Sequence, residues 1–400
     1  MNKIKELFCL FVYKLSPIKK KRVVFTSFQG QYTDNPKAVA LKFHELHPDY
    51  ELVWLLKDGQ GKDLPSYFKR VNINSVKAYR YWGSAKIHID NVYGIRATFL
   101  IDDSKKSRFK AKLYTFLTYK KKQYIFTNFH GVPIKKIGRD QLGNDIKDMI
   151  CKGTTLILGD QYSKDIMANV TFNKLPIELL GYPRDDVLFS ENTTAKEQVG
   201  LPSDRKIALF APTFRNDGKD VEGKNVQRSG LDQINAFDFD LFFKTLYERF
   251  GGDWSLVLRF HYHVAEMVDW ASLKKKYGDR IINGNQYPDM ADYLSATDLL
   301  ITDSSSCMID YSLTYKPCLL FFPDLKNYQN KERGFYVDIK SLPFPVSETF
   351  DEFINCIKNF DENKYQQDVK QMHLKIGSVS DAHSSERMIN FIFDNYLTKK

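Results

Sequence analysis

Residues 299–321, LLITDSSSCMIDYSLTYKPCLLF, run from an apolar strand (Leu299 to Thr302) into Asp303, Ser304, Ser305 and Ser306, then into a helix carrying Asp310. That order sets three hydroxyls and several open backbone N–H groups at a helix N-terminus, where donors and dipole both favour an anion. A serine run in this place also serves as a plain N-cap, so the motif alone leaves both readings open. Four other apolar runs end in the same manner. RVVFTSFQG (22–30) precedes Asp34, Asn35 and Pro36, which open a helix, and QYIFTNFHGVP (123–133) ends at His130-Gly131. KIALFAPTFRND (206–217) ends at Thr213 and Arg215, and SLVLRFHYH (255–263) ends at Arg259 and His261. Open α/β sheets bind ligands outside the carboxyl ends of their strands. Polar groups at five strand ends in one chain point to an active site.

The chemistry follows from the residue types. An imidazole at a strand end, as at His130, takes a proton from a hydroxyl near neutral pH, although a lone histidine is commonly structural. Gly131 lets the backbone approach a ligand closely, and Pro133 suits the first turn of a following helix that includes Lys135 and Lys136. Arg259 with His261 would neutralise a diphosphate or a leaving phosphate, and Arg333 in KERGFY is a third cationic position. Other chemistries lack their signatures. HELH (44–47) has the wrong spacing for a zinc protease, and no GxxxxGK[ST], GxGxxG or GxSxG is present. The five cysteines (Cys9, Cys151, Cys307, Cys318, Cys356) are odd in number and show no CxxC spacing. They read as reduced thiols of a cytoplasmic protein, with no disulfide framework, metal or cofactor expected.

These residues need a scaffold. With 400 residues the chain is long for one core and predicts two domains. VVFTSF, the helix NPKAVALKFHEL and YELVWLL form a βαβ unit, which KIHIDNV (86–92), TFLIDD (98–103), QYIFTNFH and TTLILGD (154–160) continue. Strands alternating with helices predict a parallel sheet. GYPRDDVLF (181–189) is a turn, after which KIALFAPTF, SLVLRF, DRIINGN (279–285), DLLITD and KPCLLFF (316–322) build a second set. The fold class expected is α/β, with two doubly wound Rossmann-like domains facing across a cleft. The boundaries expected are a basic segment at 1–21, domains at 22–182 and 183–378, and a C-terminal helix at 379–400.

The net charge of +10 implies an anionic partner. Much of it lies in MNKIKELFCLFVYKLSPIKKKR at the N-terminus and KKSRFKAKLYTFLTYKKK (105–122). The apolar run Leu7 to Tyr13 is far short of the ~20 residues that span a bilayer. A short helix with lysines at both ends fits peripheral attachment to an anionic cytoplasmic leaflet, and a core helix is the plainer alternative. No helix-turn-helix, RNP or zinc-finger pattern accompanies the basic patches, so nucleic acid is not the expected partner.

FHGVPIKK, GYPRDD, APTFRND, LRFHYH, LLITDSSSCMIDY and YQNKERGFYVDI together resemble, in this order, the CDP-glycerol glycerophosphotransferase family of teichoic acid primases and polymerases. The resemblance covers roughly residues 22 to 395. It implies a GT-B-like fold, with the C-terminal domain binding CDP-glycerol or a related CDP-alditol and CMP released as a phosphodiester forms. The acceptor implied is a lipid-linked anionic polymer, in teichoic acid or capsule synthesis. Carried over by motif, Phe129, Gly131, Val132 and Pro133 would line the site around His130 as general base. Arg184, Thr213, Phe214 and Arg215 would border the donor, and Arg259, Phe260 and His261 would meet its diphosphate. Asp303, Ser304, Ser305, Ser306, Asp310 and Arg333 would hold phosphate and the remaining hydroxyls. The family commonly has Trp-His-Gly-Thr-Pro where this chain has Phe129 to Pro133, and Asp-Tyr-Ser-Ser where it has Asp303 to Ser306. The first change removes the threonine hydroxyl, and the second swaps an aromatic for a third serine. A glycosyltransferase using a UDP- or GDP-sugar is the rival on the same architecture, and a membrane-attached binding protein without chemistry is the rival of another class.

Overall fold

In the computed structural model, which describes residues 3–91, 98–100, 105–140, 148–150, 152–170, 175–189, 194–213, 237–260, 262–325 and 334–398, the chain divides into two units. Unit 1 comprises residues 1–132, 137–186 and 376–400, and unit 2 comprises 133–136 and 187–375. The borders between the units fall after Asp186 and before Ile376. A physical reason is visible in unit 1. The Asp186 carboxylate accepts from the backbone N–H groups of Ser384 and Ser385, each at 2.9 Å, and so caps the tail helix Ser384–Ile392.

Unit 1 begins with α1 (Lys3–Leu15), β1 (Lys19–Phe25), α2 (Asp34–Leu46), β2 (Glu51–Leu56), β3 (Lys69–Asn72), α3 (Val76–Ser84) and β4 (Ala85–Asp90). It continues through β5 (Thr98–Leu100), α4 (Lys105–Thr118), β6 (Tyr124–Asn128), β7 (Asp148–Ile150), β8 (Thr154–Leu158), α5 (Gln161–Val170) and β9 (Ile177–Leu179). Seven of these strands make one parallel sheet in the order β3-β2-β1-β4-β6-β8-β9. Helices cover both faces, which is why the strands are continuous apolar runs rather than alternating ones. One face packs Val23, Phe25, Trp54, Ile87, Phe126 and Ile157 against Val39, Ala40 and Phe43 of α2 and Met388, Ile389 and Ile392 of the tail helix. The other face sets Val24, Val53 and Leu55 against Ala78 of α3.

Three expectations change. TFLIDD does not continue the main sheet, because β5 pairs antiparallel with β7 in a separate two-stranded ribbon. Pro133 does not open a helix that includes Lys135 and Lys136. Instead Lys135 forms an isolated antiparallel bridge with Phe335, with Tyr336 N donating to Ile134 O (2.9 Å) and Lys136 N to Gly334 O (3.1 Å). The N-terminal helix is not a free segment either. Leu10 and Tyr13 of α1 are buried against Tyr79, Trp82, Tyr114 and Leu117, and Lys14 Nζ donates to the carbonyls of Phe116 and Tyr119.

Unit 2 holds a six-stranded parallel sheet of β10 (Lys206–Phe210), β11 (Trp254–Leu258), β12 (Ile281–Asn283), β13 (Leu299–Thr302), β14 (Cys318–Phe321) and β15 (Val346–Ser347). Its order is β12-β11-β10-β13-β14-β15. Phe210 pairs with Leu258 on one side and Ile301 on the other, and its ring packs against Phe237 and Phe321. In each unit the strand order reverses once, between β1 and β4 and between β10 and β13. Doubly wound sheets bind ligands at such switch points.

Candidate active site

In unit 1 the switch point is built by the ends of β1, β4 and β6. After β1 the chain turns sharply, and Gly30 N donates to Ser27 O at 2.9 Å. Asn91, just past β4, braces the turn: its Oδ1 accepts from Phe28 N (2.9 Å) and its Nδ2 donates to Ser27 Oγ (3.0 Å). Phe28, Gln29 and Asp34 have φ of 41°, 57° and 63°, three of the four left-handed non-glycine residues among those described. Backbone strain of this kind concentrates at functional sites.

β6 delivers Phe129 and His130 beside this turn. Phe129 is buried and His130 is exposed, with the Phe28 ring at 6.1 Å from the imidazole. Gly131 follows with φ of 119°, a conformation that side chains resist, so the glycine is required by the turn itself. Val132 and Pro133 are buried.

Arg184, which the sequence offered as a residue bordering the donor, lies in unit 1. Its Nη1 is 2.9 Å from Asp34 Oδ2, and its backbone N donates to Asn35 Oδ1 at 3.0 Å. Asn35 Nδ2 in turn donates to Phe129 O at 3.1 Å. The motifs DNP, FHG and GYPRDD therefore meet at one place.

Nearby, the buried Asp160 accepts from Ser163 N (2.6 Å), Ser163 Oγ (2.7 Å) and Tyr182 Oη (3.0 Å). Burial raises its pKa against those bonds, and raises that of Tyr182 well above the usual phenol range.

In unit 2 the switch point joins the ends of β10 and β13. Asp303 Oδ1 accepts from Thr213 N (2.8 Å) and from Ser304 N (2.5 Å), while Thr302 Oγ1 donates to Ala211 O (2.7 Å). Asp303 is thus a brace between two strand ends. Ser304 Oγ is fully buried and has no hydrogen-bond partner among the described residues. Ser305 and Ser306 are half-buried, and Ser306 leads into the helix Cys307–Ser312, whose Asp310 is buried. That helix has only six residues. Its first N–H groups are engaged locally, Cys307 N with Ser305 Oγ (3.4 Å), Met308 N with Ser305 O (3.3 Å) and Ile309 N with Ser306 O (2.9 Å), so the two half-buried serines form its N-terminal turn.

Arg259 does not project a free fork. Its Nη1 donates to Gly284 O (2.7 Å) and Tyr287 O (2.6 Å), its Nη2 to Pro288 O (2.7 Å), and its guanidinium packs over Tyr293. The arginine holds the 284–288 loop. Asn285 of that loop grips Phe260 at both backbone groups, accepting from its N (3.1 Å) and donating to its O (2.5 Å). Phe214, Arg215, His261 and Arg333 lie outside the described residues. Sequence reasoning missed Asn91 and Asn285, and took Asp34 and Asn35 only as a helix opening. The Asp-Asn-Pro run after a strand was the one available signal.

The sequence profile of the CDP-Glycerol:Poly(glycerophosphate) glycerophosphotransferase family matches residues 7–394. The chain belongs to this family. It is 29% identical to the teichoic acid glycerol-phosphate transferase of Staphylococcus aureus (strain NCTC 8325 / PS 47), over 98% of this chain and 99% of that protein. It is also 29% identical to the teichoic acid poly(glycerol phosphate) polymerase of Bacillus subtilis (strain 168), over 94% of this chain but 49% of that protein. A polymerase of the same name from Staphylococcus epidermidis is likewise matched over 52% of its length, so the chain spans about half of these two relatives. A solved structure of the wall teichoic acid polymerase TagF is similar with a TM-score of 0.74 and 26% identity, over 99% of this chain and 93% of that one. Another TagF structure, of a histidine variant soaked with CDPG, has the same TM-score at 25% identity and covers 99% of this chain and 93% of that one. The two parallel-sheet, Rossmann-like units accordingly belong to the GT-B-like fold class.

Proposed function

We propose that this protein transfers glycerol phosphate, or a related alditol phosphate, from a CDP-alditol to a hydroxyl of an anionic polymer or lipid-linked acceptor, and releases CMP. The observation that carries the reading is the meeting of DNP, FHG and GYPRDD at the switch point of unit 1, in a chain that matches the family over residues 7–394. The relatives' names support a glycerol phosphate donor and a teichoic acid product.

In this reading His130 takes the proton of the acceptor hydroxyl as its oxygen attacks the β-phosphorus. The bond from that phosphorus to the bridging oxygen breaks, and CMP departs with the electron pair. Phosphoryl transfer asks the protein mainly for positioning and charge stabilisation. Donor handling falls to unit 2: Thr213, Phe214, Arg215, Phe260, Ser304, Ser305, Ser306, Asp310 and Arg333 are its candidates, with His261 supplying a charge to the leaving group. Arg259 and Asp303, which hydrogen-bond to backbone groups, shape that surface rather than touch the donor. Val132, Gly131, Phe129 and Pro133 set the frame of His130, and Arg184 braces it.

The same reading gives α1 and α4 a peripheral membrane role at the cytoplasmic face. Their outer sides expose Ile4, Leu7, Phe8, Phe11 and Leu15, and Phe109, Leu113 and Phe116, among lysines of both helices. No described helix is long and apolar enough to cross a bilayer. Exposed aromatics with surrounding cations suit an anionic interface.

The experiment is to incubate purified protein with CDP-glycerol, CDP-ribitol, UDP-sugars and a polymer acceptor, and to identify the nucleotide released. CMP from a CDP-alditol is expected, and His130→Ala should lower its rate by about 10² to 10⁴ while CDP-glycerol still binds. Release of UDP from a sugar nucleotide would replace this reading with that of a glycosyltransferase.

A further inference from the structure

We propose that Asn35 is the positioning residue of His130. Asn35 is fully buried in the first turn of α2 and bridges two segments remote in sequence. Its Nδ2 donates to Phe129 O at 3.1 Å and its Oδ1 accepts from Arg184 N at 3.0 Å. A carbonyl only accepts and a backbone N–H only donates, so one orientation of the amide satisfies both partners.

The bond to Phe129 O matters because that oxygen lies in the same rigid peptide plane as His130 N. Holding the oxygen fixes the plane from which the His130 side chain departs. On the far side of the histidine, Gly131 at φ of 119° sets the exit of the chain, and Phe28 packs at 6.1 Å from the imidazole ring. Asn35 therefore supplies the entry constraint. Its own place is set from two directions. Its backbone N donates to Asp34 Oδ1 (2.6 Å), and Asp34 Oδ2 pairs with the Arg184 guanidinium (2.9 Å). The Asp34-Asn35 dipeptide thus grips Arg184 at its main chain and its side chain together.

The chemistry is specific to asparagine. Aspartate would set a second acceptor against Phe129 O, and an aliphatic residue would leave a buried carbonyl and a buried N–H unmade. The inference rests on His130 being the base, and its test keeps the two apart. Asn35→Ala, Asn35→Ser, His130→Ala and the double variant Asn35→Ala/His130→Ala would be compared in full-length protein. The readouts are CMP release from CDP-glycerol, calorimetric titration with CDP-glycerol and thermal unfolding.

Asn35→Ala is expected to lower kcat about 10- to 100-fold, as small misplacements of a reacting group do, with CDP-glycerol affinity within about twofold of the parent. The acidic limb of the kcat–pH profile should move, and the double variant should be no slower than His130→Ala alone. A purely structural role would instead lower the folded fraction and leave the profile and the epistasis untouched. That result, or an unchanged kcat in Asn35→Ala, overturns the proposal. Should Asn35→Ala not fold, Asn35→Ser decides by the same readouts. Parent-like turnover by His130→Ala would remove the base and, with it, the ground for this role.

Discussion

Arg184 Nη1 stands 2.9 Å from Asp34 Oδ2, with the two side chains only 11% and 9% exposed. A desolvated pair of this sort gains little over an apolar replacement, but losing one member strands a charge. Arg184→Met should therefore destabilise the protein by about 3 to 5 kcal/mol, read as a lowered urea midpoint. The double change Arg184→Met/Asp34→Asn, which removes the stranded charge and suits the left-handed backbone at this position, should recover part of that loss. Equal midpoints for Arg184→Met and the parent would mean that the pair carries no such energy.

Asn285 makes the corresponding brace in unit 2, to both backbone groups of Phe260. Leaving such groups unmade costs about 1 to 3 kcal/mol, so Asn285→Ala should fold with reduced stability. If this loop shapes the donor surface, KM for CDP-glycerol rises more than kcat falls. Steady-state kinetics at saturating acceptor tests it, and an unaltered KM would count against that role.

Burial pushes the His373 imidazole down to about 4, with its Nε2 2.8 Å from Ser312 Oγ. In the unfolded chain the same group titrates near 6.5. Between these values the unfolded state binds a proton that the folded state refuses, so stability falls as pH drops through that window and is unaffected by His373 above it. His373→Gln should flatten the decline. Urea midpoints from pH 7 to pH 4.5 measure it, and parallel curves for parent and variant would exclude His373 as the source.

The apolar outer sides of α1 and α4 predict binding to vesicles containing anionic lipid, weakening as salt rises. Phe11→Glu combined with Phe116→Glu should abolish co-sedimentation while leaving the melting temperature near the parent value, since both rings are exposed. Absence of parent binding at low salt would defeat the membrane role.

Much of this was written locally. Buried parallel strands must be unbroken apolar runs, so β1, β6, β10, β11 and β13 stood out, and the polar residues at their ends followed. The order of the motifs carried the family. Short edge strands such as β9 and β15 left little trace, because three or two residues give no period to read.

Partnership between distant side chains was beyond any local pattern. Composition could offer Arg259 as a phosphate ligand, but only packing showed its Nη donors turned onto the 284–288 carbonyls. Arg184 falls to unit 1 through its bonds to Asp34 and Asn35, some 150 residues away in the chain. Periodicity and turn chemistry act over a few residues, so the chain alone determined the sheets and where their carboxyl ends lie. Which groups at those ends are held, and by what, depended on side chains that only the folded backbone brings within hydrogen-bond reach.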